Sequence, residues 1–195
     1  MKNNVICVLL LLIISNVFAQ APFGIELGMS MNDLNDLFTE PQYFEQFRGT
    51  NFEINPSLLK NTSLNVFNNY RRGEGEPRIF FRNGTVIGLY TQSGRIINQE
   101  LFGRSGTGNL ILREWNRYIE LFSRRWGQPE IITPTFPIIT SNNRVIRDFD
   151  ALYNDYNIEW EISALFPNGI KCELIIPERH IGYVNIMLTW GERPW

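Results

Sequence analysis

Histidine and cysteine are nearly missing from this 195-residue chain, which has one histidine, His180, and two cysteines, Cys7 and Cys172. A Ser–His–Asp triad, a Cys–His pair or a histidine- and cysteine-rich zinc centre has almost nothing to be assembled from. Cys7 falls in an N-terminal leader, so Cys172 alone remains once the leader is removed. An internal disulfide is then excluded even in an oxidising compartment. An excess of charge of one sign is lacking too. Counting Lys2 out with the leader leaves 17 basic residues against 20 acidic ones, a formal net charge of −3. That balance offers no general electrostatic attraction for nucleic acid. The apolar run Val5 to Ile14 falls well short of the ~20 residues that a membrane-spanning helix needs.

What is present begins with that leader. Lys2 supplies a positive start, Val5–Ile14 an apolar stretch, and Val17-Phe18-Ala19 the tolerated residues of a cleavage site. Residues 1–19 are therefore expected to be a signal peptide of bacterial type, and the mature protein to be periplasmic or secreted. Cys7 lies inside the apolar run rather than after a small-residue lipidation box, which argues against a lipoprotein. The mature chain, about 175 residues long, can bury enough apolar surface to fold without a covalent staple.

The strongest helical pattern covers about 110–126. At 100° per residue, Ile111, Trp115, Tyr118, Ile119, Phe122 and Trp126 fall within an arc of roughly 100°, with Leu112 at its edge. Arg113, Arg117, Glu120 and Arg124 occupy the opposite side. Gly127 stands where a left-handed residue ends a helix, and Pro129 prevents its resumption. The aromatic face needs a broad cover, and a β-sheet supplies one.

Before this helix, Ser30 and Asp33 have capping-box spacing ahead of Met31, Leu34, Leu37 and Phe38. Asn55-Pro56-Ser57 predicts a helical turn, and residues 64–70 alternate as a strand. Asn83-Gly84 between Arg78–Arg82 and Thr85–Tyr90 is a strong hairpin signal, because both turn residues tolerate positive φ. Residues 92–109, rich in Gly and polar side chains, read as a connector. After the helix, Ile131–Pro137 predicts a proline-limited edge strand. Residues 148–153 alternate as a strand. Ile158, Trp160, Ile162, Ala164 and Phe166 share one face of another strand, opposite Glu159, Glu161 and Ser163. Pro167-Asn168-Gly169 then turns the chain into Ile170–Ile176, and a further turn leads to Tyr183–Trp190. The expectation is an α+β fold of antiparallel sheet with helices on one face. The similar order of helix, proline stop and strands suggests two tandem helix-on-sheet units, 20–100 and 101–195.

Leu27-Gly28-Met29-Ser30 with Asp33-Leu34, Phe81-Arg82-Asn83-Gly84-Thr85-Val86, and Trp126-Gly127-Gln128-Pro129 carry a resemblance. Together they resemble exported bacterial domains similar to the β-lactamase-inhibitor protein and to envelope proteins of the SmpA/OmlA type. The resemblance implies a helical layer on an antiparallel sheet and a non-catalytic binding or envelope-assembly role. It carries over no functional residue.

Candidate chemistry is sparse. Cys172 is expected on the apolar side of its strand, and His180 in an exposed turn. Gly103, Gly106 and Gly108 precede a helix but lack the Lys-Ser/Thr of a phosphate loop, so no nucleotide site is read there. Glu159 and Glu161 share an outward face, which would suit a hydrolase, but Lys171 lies beside them. Asp148, Asp150 and Asp155 do not have calcium-loop spacing. The C-terminal Trp195 does not make the chain an outer-membrane barrel, because Arg193 and Gly191 break the required apolar alternation. No catalytic residue, cofactor or metal is expected. The candidate partner-binding residues are Arg113, Arg117 and Arg124, a stripe that suits an acidic surface, together with Trp190 and Trp195. A protein partner in the cell envelope is the leading expectation, and a small apolar or lipid ligand held between helix and sheet the alternative.

Overall fold

The computed structural model describes residues 21–40, 51–61, 63, 65–67, 77–93, 106–140, 143–155, 159–176 and 184–192. The leader, the connector at 94–105, His180 and Trp195 lie outside the described residues. In chain order the elements are α1 (Met31–Asn35), β1 (Asn51–Glu53), β2 (Arg78–Arg82), β3 (Thr85–Gln92) and α2 (Thr107–Trp126). They continue with β4 (Glu130–Ile132), β5 (Ile138–Ile139), β6 (Val145–Ile146), α3 (Phe149–Tyr153), β7 (Trp160–Leu165), β8 (Lys171–Ile176) and β9 (Ile186–Gly191). The fold is α+β, as the sequence pattern indicates.

Seven strands form one antiparallel sheet in the order β1-β2-β3-β9-β8-β7-β4, and β5 with β6 makes a separate two-stranded hairpin. Strands β7, β8 and β9 are the anticipated meander. The two sequence segments meet inside the sheet, where β3 pairs with β9 from Gly88↔Gly191 to Gln92↔Met187. Their apolar side chains also share one core, which runs from Phe23, Ile25 and Leu34 to Leu174, Ile186 and Leu188.

Local signals explain how several elements start and stop. Ser30 accepts from the Asp33 N–H at 3.2 Å while Asp33 accepts from the Ser30 N–H at 3.3 Å, a complete capping box on α1. Asn83 and Gly84 turn β2 into β3 with φ of 52° and 78°. Asn55 caps the turn Pro56–Leu58 by accepting from the Ser57 N–H at 3.0 Å. Helix α2 ends at Gly127, whose φ is 86°, as the glycine and following proline require.

Some expectations need correction. Helix α2 starts at Thr107 rather than at Leu110, so Gly108 is not connector but part of the first helical turn. Residues 149–153 are helical, not a strand. Asp148 accepts from the Ala151 N–H at 2.8 Å, and this cap closes a turn that a short alternating pattern cannot distinguish from a strand. Val66 and Phe67, expected on opposite faces of a strand, are both buried and belong to no strand. Edge strand β4 stops at Ile132, well before Pro137.

The aromatic face of α2 lies in the core: Ile111, Trp115, Tyr118, Ile119, Phe122 and Trp126 are all buried. Trp126 stacks on Phe122 with ring centroids 5.0 Å apart, and both meet Phe166, just after β7, edge-on at 5.4 and 6.3 Å. Phe67 approaches from the first segment, edge-on to Tyr118 at 5.3 Å and to Phe122 at 5.8 Å. In the last turn of α2, the Arg125 guanidinium donates to the Ser63 carbonyl at 2.6 Å. Burial there lowers the Arg125 pKa from its ordinary value.

At its other end α2 is held by α3. The Gly108 N–H, free of an intrahelical partner in a first turn, donates to Asp150 Oδ1 at 3.1 Å. The carboxylate also complements the positive end of the helix dipole. A Cβ on Gly108 would sit 2.3 Å from the Phe149 carbonyl oxygen. Gly108→Ala therefore sets about 1 kcal/mol of improved helix propensity against a backbone overlap that no rotamer relieves. The overlap should win, with a net loss of about 1–2 kcal/mol in urea unfolding. A gain in stability would show that α3 does not press on α2 here.

Candidate interaction surface

The outer side of α2 carries the predicted stripe. Arg113, Arg117 and Arg124 are all exposed. Arg117 Nε donates to Glu114 at 2.9 Å, and its guanidinium carbon lies 4.5 Å from the centre of the Tyr118 ring. Arg124 pairs with Glu120 one turn earlier, in the favourable order of acid before base. Pairs as exposed as these contribute little to stability. They do absorb charge. Arg113 makes no ion pair among the described residues.

Trp190 sits on β9 opposite Leu89 of β3 and on the same side as buried Ile186 and Leu188. It is half-buried against the core, and its indole N–H donates to the Asn168 carbonyl at 3.2 Å. The ring thus fastens the β7–β8 turn to β9, with part of its face in solvent. Trp195 lies outside the described residues, so the structure places four of the five predicted contact residues.

The sheet face away from α2 is polar at its centre. Lys171 Nζ lies 2.5 Å from Glu173 and 3.3 Å from Glu161. The Glu173 hydrogen bond, reinforced by both negative charges, raises the Lys171 pKa against the opposing effect of burial. A raised lysine stabilises the fold fully below its ordinary range and loses that contribution only at strongly alkaline pH. The ammonium therefore stays charged at neutral pH and lies between two carboxylates. Glu159 is exposed just before β7.

The remaining titratable candidates have structural partners. Asp148 caps α3, Asp150 caps α2, and Asp155, with its side chain 3% exposed, pairs with Arg144 at 3.0 Å. Among the described residues no group of three or more His, Cys, Asp and Glu side chains could hold a metal ion. Cys172 is fully buried on the core side of β8, as its alternation indicates, and desolvation, with Glu173 beside it, pushes its thiol pKa well up. Iodoacetamide at neutral pH should leave Cys172 unmodified in the folded protein and alkylate it fully after denaturation, as read by peptide mass mapping. Rapid native labelling would mean that β8 opens or that the thiol faces outward.

The sequence pattern did not single out the most exposed apolar surface. Among the described residues, seven large apolar side chains stand well exposed: Leu27, Leu121, Ile131, Ile132, Ile139, Val145 and Leu165. Four of these fall between 131 and 145, and Leu165 belongs to the strand that pairs with β4. Ile132 is 63% exposed and Ile139 70%. Strand β4 pairs with β7 on one side and is the terminal strand of the sheet order. Ile139 and Val145 face each other across the β5–β6 hairpin. The hairpin is anchored through buried Ile146 and through Phe136, whose ring meets Phe149 at 5.0 Å. The signal lay in Ile131-Ile132 and Ile138-Ile139, apolar pairs that cannot both point inward from an edge strand.

Comparison with known proteins finds no matching family model, curated protein or solved structure. Among the described residues no helix is long and apolar enough to cross a membrane.

Proposed function

We propose that this chain is an exported, non-catalytic binding or assembly protein of the bacterial cell envelope that works by protein–protein contact. The contact is made by the β4 edge and the β5–β6 hairpin. The observation that carries the reading is the exposure of Ile131 and Ile132 on β4, of Leu165 on the strand that pairs with it, and of Ile139 and Val145 on the β5–β6 hairpin. Large apolar side chains left in solvent cost solubility, and surfaces that carry several of them are typical of contact sites. An edge strand adds unpaired backbone donors and acceptors for an incoming chain. The leader pattern at residues 1–19 and the resemblance to exported envelope proteins support this reading.

The alternative, a carrier of a small apolar ligand between helix and sheet, has less support. On the buried face of α2, Phe122 is in ring contact with Phe67, Trp126 and Phe166, and Trp126 also meets Phe166. A ligand there would have to displace a packed aromatic cluster. Hydrolysis by the outward glutamates is weaker still, since Lys171 already engages Glu161 and Glu173.

Crosslinking in the native envelope, followed by purification, tests the proposal. Ile132→Lys/Ile139→Lys should abolish capture of the protein partner while leaving the melting temperature within a few degrees of wild type. Arg113→Ala/Arg117→Ala/Arg124→Ala should retain capture. The opposite pattern would move the contact to the outer face of α2 and overturn the assignment to β4. A co-purified lipid in native mass spectrometry, with no crosslinked protein, would favour the carrier instead.

A further inference from the structure

No further inference is drawn: the strongest candidate, the open edge of β4 with exposed Ile131 and Ile132, is the surface on which the proposed function already rests, and nothing in the structure shows which chain or ligand covers it.

Discussion

Trp115→Ala should lower folding stability by about 3–5 kcal/mol, the largest single effect expected in this protein. Trp115 is 1% exposed at the middle of the buried face of α2. Its removal deletes one of the two largest fully buried side chains of the core and leaves a cavity that the surroundings fill only in part. Loss of transfer free energy and the unfilled cavity therefore add. In urea the unfolding midpoint should fall with little change in slope, and the melting temperature should drop on the order of 10 °C. A midpoint equal to wild type would show that Trp115 is not core and that α2 belongs to a binding surface. Loss of partner capture in this variant would not locate the contact, because the fold itself is weakened; the Ile132→Lys/Ile139→Lys pair serves that purpose.

Gly88→Val is expected to be the second most damaging change, at about 2–3 kcal/mol net. Gly88 pairs with Gly191 at the junction of β3 and β9. There the two chain segments approach so closely that a Cβ on Gly88 would lie 1.9 Å from the Glu192 carbonyl oxygen. The obstacle is backbone, held by the Glu192 N–H donating to the Ile87 carbonyl at 2.8 Å and by Arg82 reaching both oxygens of the Glu192 carboxylate. Valine would otherwise help, since it favours strands by up to ~1 kcal/mol and restricts the unfolded chain. Neither gain matches an overlap that can be relieved only by separating the strands. Gly191 adds a second constraint, with φ of 73° and its own Cβ position 2.3 Å from the Ile87 carbonyl oxygen. Because this junction joins the strands of the two segments, the variant should lose amide protection in β3 and β9 first, read by hydrogen exchange. Protection unchanged there would mean that the crossing is looser than the geometry states.

Much of the architecture was legible because it is written in short-range chemistry. The face of α2 followed from 3.6-residue periodicity, and its end from Gly127 and Pro129. Asn83-Gly84 set the β2–β3 turn, and alternation put Cys172, Leu174 and Ile176 in the core with Lys171 and Glu173 outside. Where the reading failed, two periodicities overlapped over a few residues. The stretch 148–153 alternates like a strand, yet Asp148 caps it as a helix. Gly108 has the composition of a linker but lies where another backbone comes within Cβ distance. That proximity is long-range and leaves no local trace.

The candidate surface divides in the same way. By itself the sequence determined that histidine and cysteine are scarce, that α2 buries its aromatics, and that its outer side carries Arg113, Arg117 and Arg124. Residue type and periodicity settle those points wherever the helix is placed. The tertiary structure decided the rest. It joined both segments in one sheet through the Gly88–Gly191 crossing, paired Arg117 with Glu114 and Arg124 with Glu120, and turned Trp190 toward Asn168. It also left Ile131 and Ile132 of β4 and Ile139 and Val145 of the β5–β6 hairpin in solvent. An apolar side chain is buried only if another element arrives to cover it, and which elements arrive is a property of the whole chain rather than of any window within it.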